Sequence, residues 1–215
     1  MLKILDLYKG YSNRTIFNGL SFTIPKQSIV SLTGINGIGK TTLLNILGGT
    51  TTFTGSISLS DTDINKNFKG YMEKTSLIPN SPFLYDYLTV SEMIELVSSL
   101  SKYNNDDIIE ELFDKLNLEG FETVFIKNLS LGTKQKVAFI IGFINNPELI
   151  LIDEPFVNFD RASLKNLLSF LCTYVNKTNS IIIFSTHSID QDIQDIVSHN
   201  LHIVSKDQID FSRMD

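Results

Sequence analysis

The sequence predicts an α/β fold whose central sheet is mostly parallel. Three observations support this prediction. Segments with strand character alternate along the chain with segments of helical periodicity. Two of the strand segments, Leu149 to Ile152 and Ile181 to Phe184, are continuous apolar runs, as expected for strands that are buried on both faces of a parallel sheet. A glycine-rich turn, residues 34–41, lies between a predicted strand and a predicted helix.

The predicted strands are short, and each rests on a local pattern. Alternating apolar residues or β-rich runs indicate the strands, and Pro25, Gly34 and Pro79 mark the ends of three of them. Residues 61–70 are polar, and we expect turns there. The predicted strands are Leu2 to Leu7, Leu20 to Ile24, Ser28 to Leu32, Ser56 to Ser60, Thr75 to Ile78, Leu149 to Ile152, Ile181 to Phe184 and His202 to Val204.

The predicted helices have apolar residues at a spacing of three and four. The first ends at Gly48-Gly49, a pair that favours a helix C-cap. Another has acidic residues in its first turns, where the helix dipole favours them. The predicted helices are Thr41 to Leu47, Val90 to Ser101, Asp106 to Leu116, and a segment that begins after Leu131-Gly132 and ends at about Asn145.

Length and composition indicate a folded chain with a sizeable core. Of the 215 residues, 42 % are hydrophobic and 20 % are charged. These values exclude disorder or a coiled coil as the main architecture. The predicted helices of the middle region suggest a core formed by residues 1–80 and 131–215, with residues 81–130 as a helical insertion. The two parts together make a single unit, without internal repeats.

Charge, cysteine content and hydropathy limit the partners and the compartment. The formal net charge of −6 offers no global basic surface, so nucleic acid is not an expected partner. Cys172 is the only cysteine, which excludes an internal disulfide and favours a reducing compartment. No apolar stretch reaches the roughly 20 residues that a spanning helix needs, and the N-terminus lacks the pattern of a signal peptide. We therefore expect a cytoplasmic chain, and any membrane part would belong to another chain.

Residues 34–41 form a phosphate-binding motif. They read Gly34-Ile35-Asn36-Gly37-Ile38-Gly39-Lys40-Thr41 and match G-x-x-x-x-G-K-[ST] in full. Glycines let backbone N–H groups turn inward around phosphate oxygens, and the helix that follows directs its N-terminus at the same anion. We expect Lys40 to reach the β- and γ-phosphates, Thr41 to hold Mg²⁺ and Thr42 to add a phosphate contact. Asn36 and the three glycines Gly34, Gly37 and Gly39 complete the cradle.

Two carboxylates follow the buried strand Leu149 to Ile152. They are Asp153 and Glu154, and ligands in open α/β sheets lie beyond the carboxyl ends of the strands. Asp153 is expected to hold the magnesium ion, directly or through water, and Glu154 to polarise an attacking water. An isolated Asp-Glu pair would more often be a solvated turn, but the phosphate motif favours the catalytic interpretation.

A third motif narrows the family. Residues 128–136 read Asn-Leu-Ser-Leu-Gly-Thr-Lys-Gln-Lys. They resemble the signature of ATP-binding-cassette (ABC) ATPases, Leu-Ser-Gly-Gly-Gln followed by a basic residue, Gln and another basic residue. Ser130 and Gly132 fit the signature, whereas Leu131 replaces its first Gly and Thr133 its Gln. Without the family, Ser130 would be no more than a helix N-cap.

Nearly the whole chain resembles an ABC nucleotide-binding subunit, with the motifs in the family's order. The resemblance implies a P-loop NTPase core, an N-terminal antiparallel β part and a helical ABC subdomain. His187 resembles the switch histidine that contacts the γ-phosphate, and Asp160 matches the D-loop aspartate. Tyr11 stands where the family stacks an aromatic ring on adenine, with Tyr8 as the alternative. Asn80 stands where the family has a Q-loop glutamine that touches Mg²⁺ or water, and it is one methylene shorter.

The resemblance also implies cofactors, partners and a location. ATP and Mg²⁺ would lie between two head-to-tail copies, and each site would combine Lys40, Asp153, Glu154 and His187 of one chain with the signature of the other. The second ATP-binding subunit could be identical or different. The compact form resembles subunits of small bacterial exporters, which work with transmembrane permease chains at the cytoplasmic face of the cell membrane.

A docking groove for the permease would lie between the core and the insertion. It would include residues 80–89, whose aromatic side chains Phe83, Tyr85 and Tyr87 suit a docking pocket. Ordinary packing of the insertion explains these aromatic residues equally well.

Two other classes of function remain open. A soluble ABC ATPase, such as an iron–sulphur assembly subunit, has the same compact form. ABC proteins of DNA repair carry a long coiled coil between the phosphate loop and the signature, whereas here 89 residues without sustained heptads separate Lys40 from Leu129. Another P-loop enzyme, such as a GTPase, would need a guanine-reading Asn-Lys-x-Asp box. Residues 176–179 read Asn-Lys-Thr-Asn and lack the aspartate.

Overall fold

The computed structural model describes residues 1–103, 106–155, 159–186 and 191–214. It confirms the predicted α/β fold, with one antiparallel sheet, one mostly parallel sheet and helices packed against them. The elements in chain order are β1 (Leu2–Tyr11), β2 (Arg14–Ile24), β3 (Ser28–Thr33), α1 (Lys40–Leu47), β4 (Thr54–Leu59), β5 (Thr62–Asp63), α2 (Phe68–Met72), β6 (Thr75–Ile78), α3 (Val90–Leu100), α4 (Asp106–Lys115), α5 (Leu131–Phe143), β7 (Leu149–Ile152), α6 (Arg161–Thr178), β8 (Ile181–Ser185), α7 (Gln191–Gln194), β9 (His199–Ile203) and β10 (Ile209–Arg213).

The larger sheet determines where the strand ends meet. Its order is β10-β9-β3-β8-β7-β6, and all neighbouring pairs from β9 to β6 are parallel. Leu32 pairs with Ser185, and Ile152 pairs with both Phe184 and Ile78. The segments that follow β3, β6, β7 and β8 therefore leave the sheet at one edge, where ligands of such folds bind.

Strands β7 and β8 separate two hydrophobic cores. Every residue of both strands is buried, as their continuous apolar sequences predict. Ile182 and Phe184 pack in the core that contains helices α3 to α6, whereas Ile181 and Ile183 pack in the core that contains α1 and the antiparallel sheet. The strand period of two thus directs alternate side chains to the two cores.

The N-terminal part of the chain forms the antiparallel sheet that the resemblance implies. Its strand order is β2-β1-β4-β5. Leu2, Ile4 and Leu7 are fully buried, and they lie in the same core as α1. The sheet therefore covers the helix that follows the phosphate motif.

The middle of the chain contributes helices rather than strands. Helix α3 begins with a capping box, in which the Glu92 N–H donates to the Thr89 hydroxyl and the Thr89 N–H to the Glu92 carboxylate. Helix α5 buries Val137, Phe139 and Phe143 in the same core as Phe184 of the sheet. In the part of the chain that the structure describes, no helix is both long and apolar enough to span a bilayer.

Two expectations about the elements were wrong, and some elements were not predicted. Residues 61–70 are not only turns, because β5 pairs with β4 and the Asn67 side chain caps helix α2. The last predicted strand, His202 to Val204, is His199–Ile203 instead, since pairing with β3 begins at His199. The sequence analysis predicts no element at Arg161–Thr178, yet this segment is the 18-residue helix α6. Its apolar residues Leu167, Leu171 and Val175 have helical spacing and are buried.

Close backbone packing predicts a strict requirement for glycine at position 55. Gly55 has a φ of +119°, and a Cβ atom there would lie 2.7 Å from the Leu5 carbonyl oxygen and closer still to that of Asp6. Gly120 has a φ of +84° but open space around it. Gly55→Ala should lower the free energy of unfolding by roughly 3 kcal/mol or more, and Gly120→Ala by roughly 1 kcal/mol. Urea denaturation of both variants measures the difference, and equal losses would contradict it.

Candidate active site

The glycine-rich loop between β3 and α1 is shaped by close contacts. Gly39 has a φ of +121°, and a Cβ atom there would lie 2.8 Å from Ile16 Cγ2 and 2.9 Å from Phe17 Cζ. Only glycine fits this position. The Lys40 side chain is buried, and its ammonium donates to the carbonyl oxygen of Gly34 at 2.8 Å. The positive charge of the Lys40 ammonium is therefore held against the backbone of the loop.

A cleft of about 420 Å³ opens beside this loop. It brings together the loop, the first turn of α1, the turn between β1 and β2, and the residue that follows Asp153. The cleft is lined by Tyr11, Arg14, Ile16, Asn36, Gly37, Gly39, Lys40, Thr41, Thr42 and Glu154.

Thr41 and Asp153 meet at the edge of the parallel sheet. The Thr41 hydroxyl donates to the Asp153 carboxylate at 3.0 Å, although 112 residues separate them. The Asp153 N–H donates to the Ile78 carbonyl oxygen at 3.0 Å, which continues the pairing of β6 and β7. Hydroxyl and carboxylate oxygens are the ligands that Mg²⁺ prefers in proteins, so this pair fits a magnesium ion.

Ser185, at the end of β8, binds both members of the acidic pair. Its buried hydroxyl donates to Asp153 Oδ1 at 2.6 Å and accepts a hydrogen bond from the Glu154 N–H at 2.9 Å. Glu154 has a φ of +49°, a backbone conformation that non-glycine residues seldom adopt. The Ser185 contact satisfies the N–H group at this turn and helps to hold it.

Tyr11 and Tyr8 lie in different surroundings. Tyr11 lines the cleft and is half-exposed. The ammonium of Lys9 lies 4.4 Å from the centre of its ring, and the same ammonium donates to Thr51 Oγ1 and to the Thr52 carbonyl oxygen. Tyr8 lies beside Gly19 on β2 and does not line the cleft. Of the two tyrosines, Tyr11 is the one that lines the cleft, and its stacking on a base remains a prediction.

The signature-like residues lie at the start of α5. Ser130 is the N-cap, and its hydroxyl accepts from the Thr133 N–H at 3.1 Å and contacts the Thr133 hydroxyl at 2.8 Å. Leu131 is half-exposed. Neither Ser130 nor Gly132 lines the cleft beside the glycine-rich loop. The chain therefore does not bring its own signature to its own phosphate loop.

Asp160 forms an ion pair within the chain. Its carboxylate caps α6 by accepting from the Ser163 N–H at 2.8 Å, and it accepts from the Lys136 ammonium at 2.7 Å. The hydrogen bond from Lys136 is the main reason why the pKa of Asp160 lies far below its usual range. Asp160 does not line the cleft, so its predicted nucleotide contact remains a prediction.

Asn80 lies beside Glu154, at the end of β6. Its amide donates to Glu154 Oε2 at 3.4 Å, and its backbone carbonyl accepts from the Gln135 side chain at 3.0 Å. The Asn80 amide therefore faces the carboxylate of Glu154. A metal contact for Asn80 remains a prediction.

A family model described as ABC transporter matches residues 17–157, which is more than half of the chain. The chain belongs to the ABC transporter family. The ABC-type transporter ATP-binding protein EcsA of Bacillus subtilis (strain 168) is 33 % identical over 191 residues, which cover 87 % of this chain and 77 % of EcsA. The lantibiotic transport ATP-binding protein SrtF of Streptococcus pyogenes is 31 % identical over 192 residues, which cover 89 % of this chain and 82 % of SrtF.

A solved structure is similar over the whole length of this ABC chain. It is the dimeric, post-hydrolysis state of the ATP-binding cassette MJ0796 with bound ADP and phosphate. The two folds agree with a TM-score of 0.87 at 21 % identity, over 100 % of this chain and 99 % of the other.

The structure places most of the predicted site residues of the ABC chain in one cleft. All the predicted loop residues except Gly34 line it, as do Tyr11 and Glu154, and Asp153 binds Thr41 at its edge. His187 lies outside the described residues. Arg14 was missed by the sequence analysis, although its guanidinium donates to the Gly37 carbonyl oxygen at 3.0 Å. In the sequence, Arg14 follows Tyr11 by three residues. In the structure, the two residues pair across the hairpin turn between β1 and β2.

Ser185 was also missed, and it provides a test of the site. Ser185→Ala should lower Mg-dependent ATP turnover about 10-fold or more, because residues that orient a metal ligand typically contribute 10- to 100-fold. Ser31→Ala is the matched control, since Ser31 is a buried serine on β3 whose hydroxyl donates to Asn200 at 3.0 Å. Steady-state phosphate release, measured against Mg²⁺ concentration, distinguishes the two variants. The same loss of turnover in both would mean that Ser185 serves only the fold.

Proposed function

We propose that this chain binds ATP with Mg²⁺, hydrolyses it, and energises a membrane transporter as one of its ATP-binding subunits. The observation that carries the proposal is the convergence of three features at one sheet edge. The glycine-rich loop borders the cleft, Thr41 binds Asp153, and Glu154 lines the same cleft. Phosphoryl transfer to water requires such a set: a phosphate cradle, a metal site and a carboxylate for the water.

The loop residues bind the phosphates in this proposal. Backbone N–H groups of residues 34–41 and the N-terminus of α1 face the anion. The Lys40 ammonium now donates to the Gly34 carbonyl oxygen at 2.8 Å, and phosphate oxygens offer it stronger, charge-assisted hydrogen bonds. Tyr11 stacks on the base, with Lys9 on the ring as a cation–π partner.

Thr41 and Asp153 hold the magnesium ion, and Glu154 serves the attacking water. The ion, when bound, neutralises the charge that develops on the phosphate oxygens. The positive φ of Glu154 turns the chain at this point, and its side chain lines the cleft. From there the carboxylate orients a water molecule and accepts its proton. His187 is proposed to contact the γ-phosphate.

A second ATP-binding subunit completes the site. Ser130 and Gly132 do not line the cleft of their own chain, so we propose that they contact the nucleotide of a partner subunit. The dimer of the similar cassette MJ0796 with ADP and phosphate supports such a pair. The half-exposed Leu131 replaces a signature glycine, and the second subunit in this proposal is either a copy of this chain or a different chain.

A permease binds in the groove between the core and the helical insertion in this proposal. A cleft of about 570 Å³ lies between α2 and the end of α3, where Phe68, Met72, Leu100 and Tyr103 supply apolar and aromatic surface. The loop 80–89, which precedes the other end of α3 and does not line this cleft, exposes Phe83, Tyr85 and Tyr87. EcsA is named as a transporter ATP-binding protein and SrtF as a lantibiotic transport ATP-binding protein, both of bacteria. These names support a bacterial transporter, and export is the direction that we propose for it. The chain would then lie at the cytoplasmic face of the membrane.

Replacement of Glu154 tests the catalytic proposal. Glu154→Gln keeps the size of the side chain but cannot accept the proton, so ATP hydrolysis should fall about 100-fold or more while ATP still binds. The variant should accumulate as an ATP-bound pair, which sedimentation velocity detects as a larger species at saturating Mg-ATP.

The Lys40→Ala variant is the control for nucleotide binding. It should lose both ATP binding and pair formation, because the ammonium that faces the phosphates is absent. If Glu154→Gln stays monomeric at saturating Mg-ATP, the chain does not pair with itself. If the wild-type chain lacks ATPase activity even with its partners, the catalytic proposal is wrong.

A further inference from the structure

Asn80 connects the catalytic glutamate to a different part of the chain. Strands β6 and β7 are parallel, and Ile78 pairs with Ile152. Two residues beyond each of these, Asn80 and Glu154 therefore lie side by side. The Asn80 amide donates to Glu154 Oε2 at 3.4 Å. Asn80 is part-buried, so its orientation depends on the groups that pack around it.

Gln135 of helix α5 holds Asn80 from the other side. Its side chain is 3 % exposed. The amide nitrogen donates to the backbone carbonyl of Asn80 at 3.0 Å and contacts Asn80 Oδ1 at 3.4 Å. One buried amide thus contacts both the backbone and the side chain of Asn80. The contact to Oδ1 leaves the Asn80 amide N–H groups directed at Glu154.

We propose that Gln135 is a positioning residue for ATP hydrolysis, which acts on Glu154 through Asn80. The proposal rests on the proposed ATPase function. Gln135 donates, Asn80 accepts and donates in turn, and the Glu154 carboxylate accepts at the end of the chain of contacts. This carboxylate is thereby oriented for its water molecule, and small errors in such an orientation are costly for catalysis.

We call these contacts, from Gln135 through Asn80 to Glu154, the relay. The relay connects the helix that carries the signature residues to the catalytic carboxylate of the same chain. Ser130 and Gly132 lie at the start of α5, and Gln135 lies on the same helix, a little more than one turn beyond Ser130.

The test replaces Gln135 by a residue of similar length without a donor. Gln135→Met should lower kcat for ATP about 10-fold, because Asn80 loses its support. KM and the affinity for ATP should change less than twofold, since Gln135 does not line the nucleotide cleft. Gln135→Leu likewise lacks a donor and carries no charge, and it should give the same result if the Met variant folds poorly.

Asn166→Leu is the matched control. The Asn166 amide donates to the backbone carbonyl of Lys115 at 3.1 Å, between α6 and the end of α4 and away from the cleft. This variant removes a comparable hydrogen bond and should lower thermal stability to a similar degree, with kcat unchanged. If both variants lose kcat in proportion to their loss of stability, Gln135 is only structural and the proposal is overturned.

A double-mutant cycle tests whether Gln135 acts through Asn80. Asn80→Ala and Gln135→Met should each lower kcat, and the double variant should be no slower than the slower single variant. Losses that multiply would overturn the relay, as would an unchanged kcat in Gln135→Met beside an active wild type. An inactive wild type in the presence of its co-purified partners would instead overturn the proposed function, and the relay with it.

Discussion

The hydrogen bonds that join Thr41, Asp153 and Ser185 are the contacts on which the rest of the site depends. They connect helix α1 to the ends of β7 and β8, with distances of 3.0 Å and 2.6 Å. They form only because these strands are parallel neighbours, with Ile152 paired to Phe184. A shift of register by one residue would turn each side chain to the opposite face of the sheet. The phosphate loop, the acidic pair and the relay residue Asn80 would then no longer meet.

Helix α5 connects helices α3 and α4 to the edge of the parallel sheet where the site lies. Helix α5 shares its hydrophobic core with β7 and β8. Its Lys136 ammonium is buried and binds Asp160 and Ser163, both at 2.7 Å. The hydrogen bond from Lys136 lowers the pKa of Asp160, and the pair ties α5 to the N-terminus of α6. Helices α5 and α6 are therefore joined by an ion pair in addition to their hydrophobic packing.

Local sequence patterns were sufficient to predict the motifs and the central strands. The glycine-rich loop and the strand before Asp153 each lie within one continuous segment, and their burial and order follow from periodicity. The contacts of Ser185 and Gln135 could not be predicted in this way, because they depend on which strands are neighbours and in what register. That Tyr11 rather than Tyr8 lines the cleft also depends on the fold. Helix α6 was missed although its apolar stripe is present in the sequence.

The most direct test of the account is to purify the tagged chain from its native cells in mild detergent and to identify what accompanies it. The account predicts a multi-span membrane protein in stoichiometric amount, because a permease would cover the cleft between α2 and the end of α3 and the exposed aromatic residues of the loop 80–89. A second ATP-binding chain in the same complex would explain Leu131 as one half of an unequal pair. If only soluble proteins or ribosomes accompany the chain, the transporter function is contradicted, and a soluble ABC ATPase takes its place.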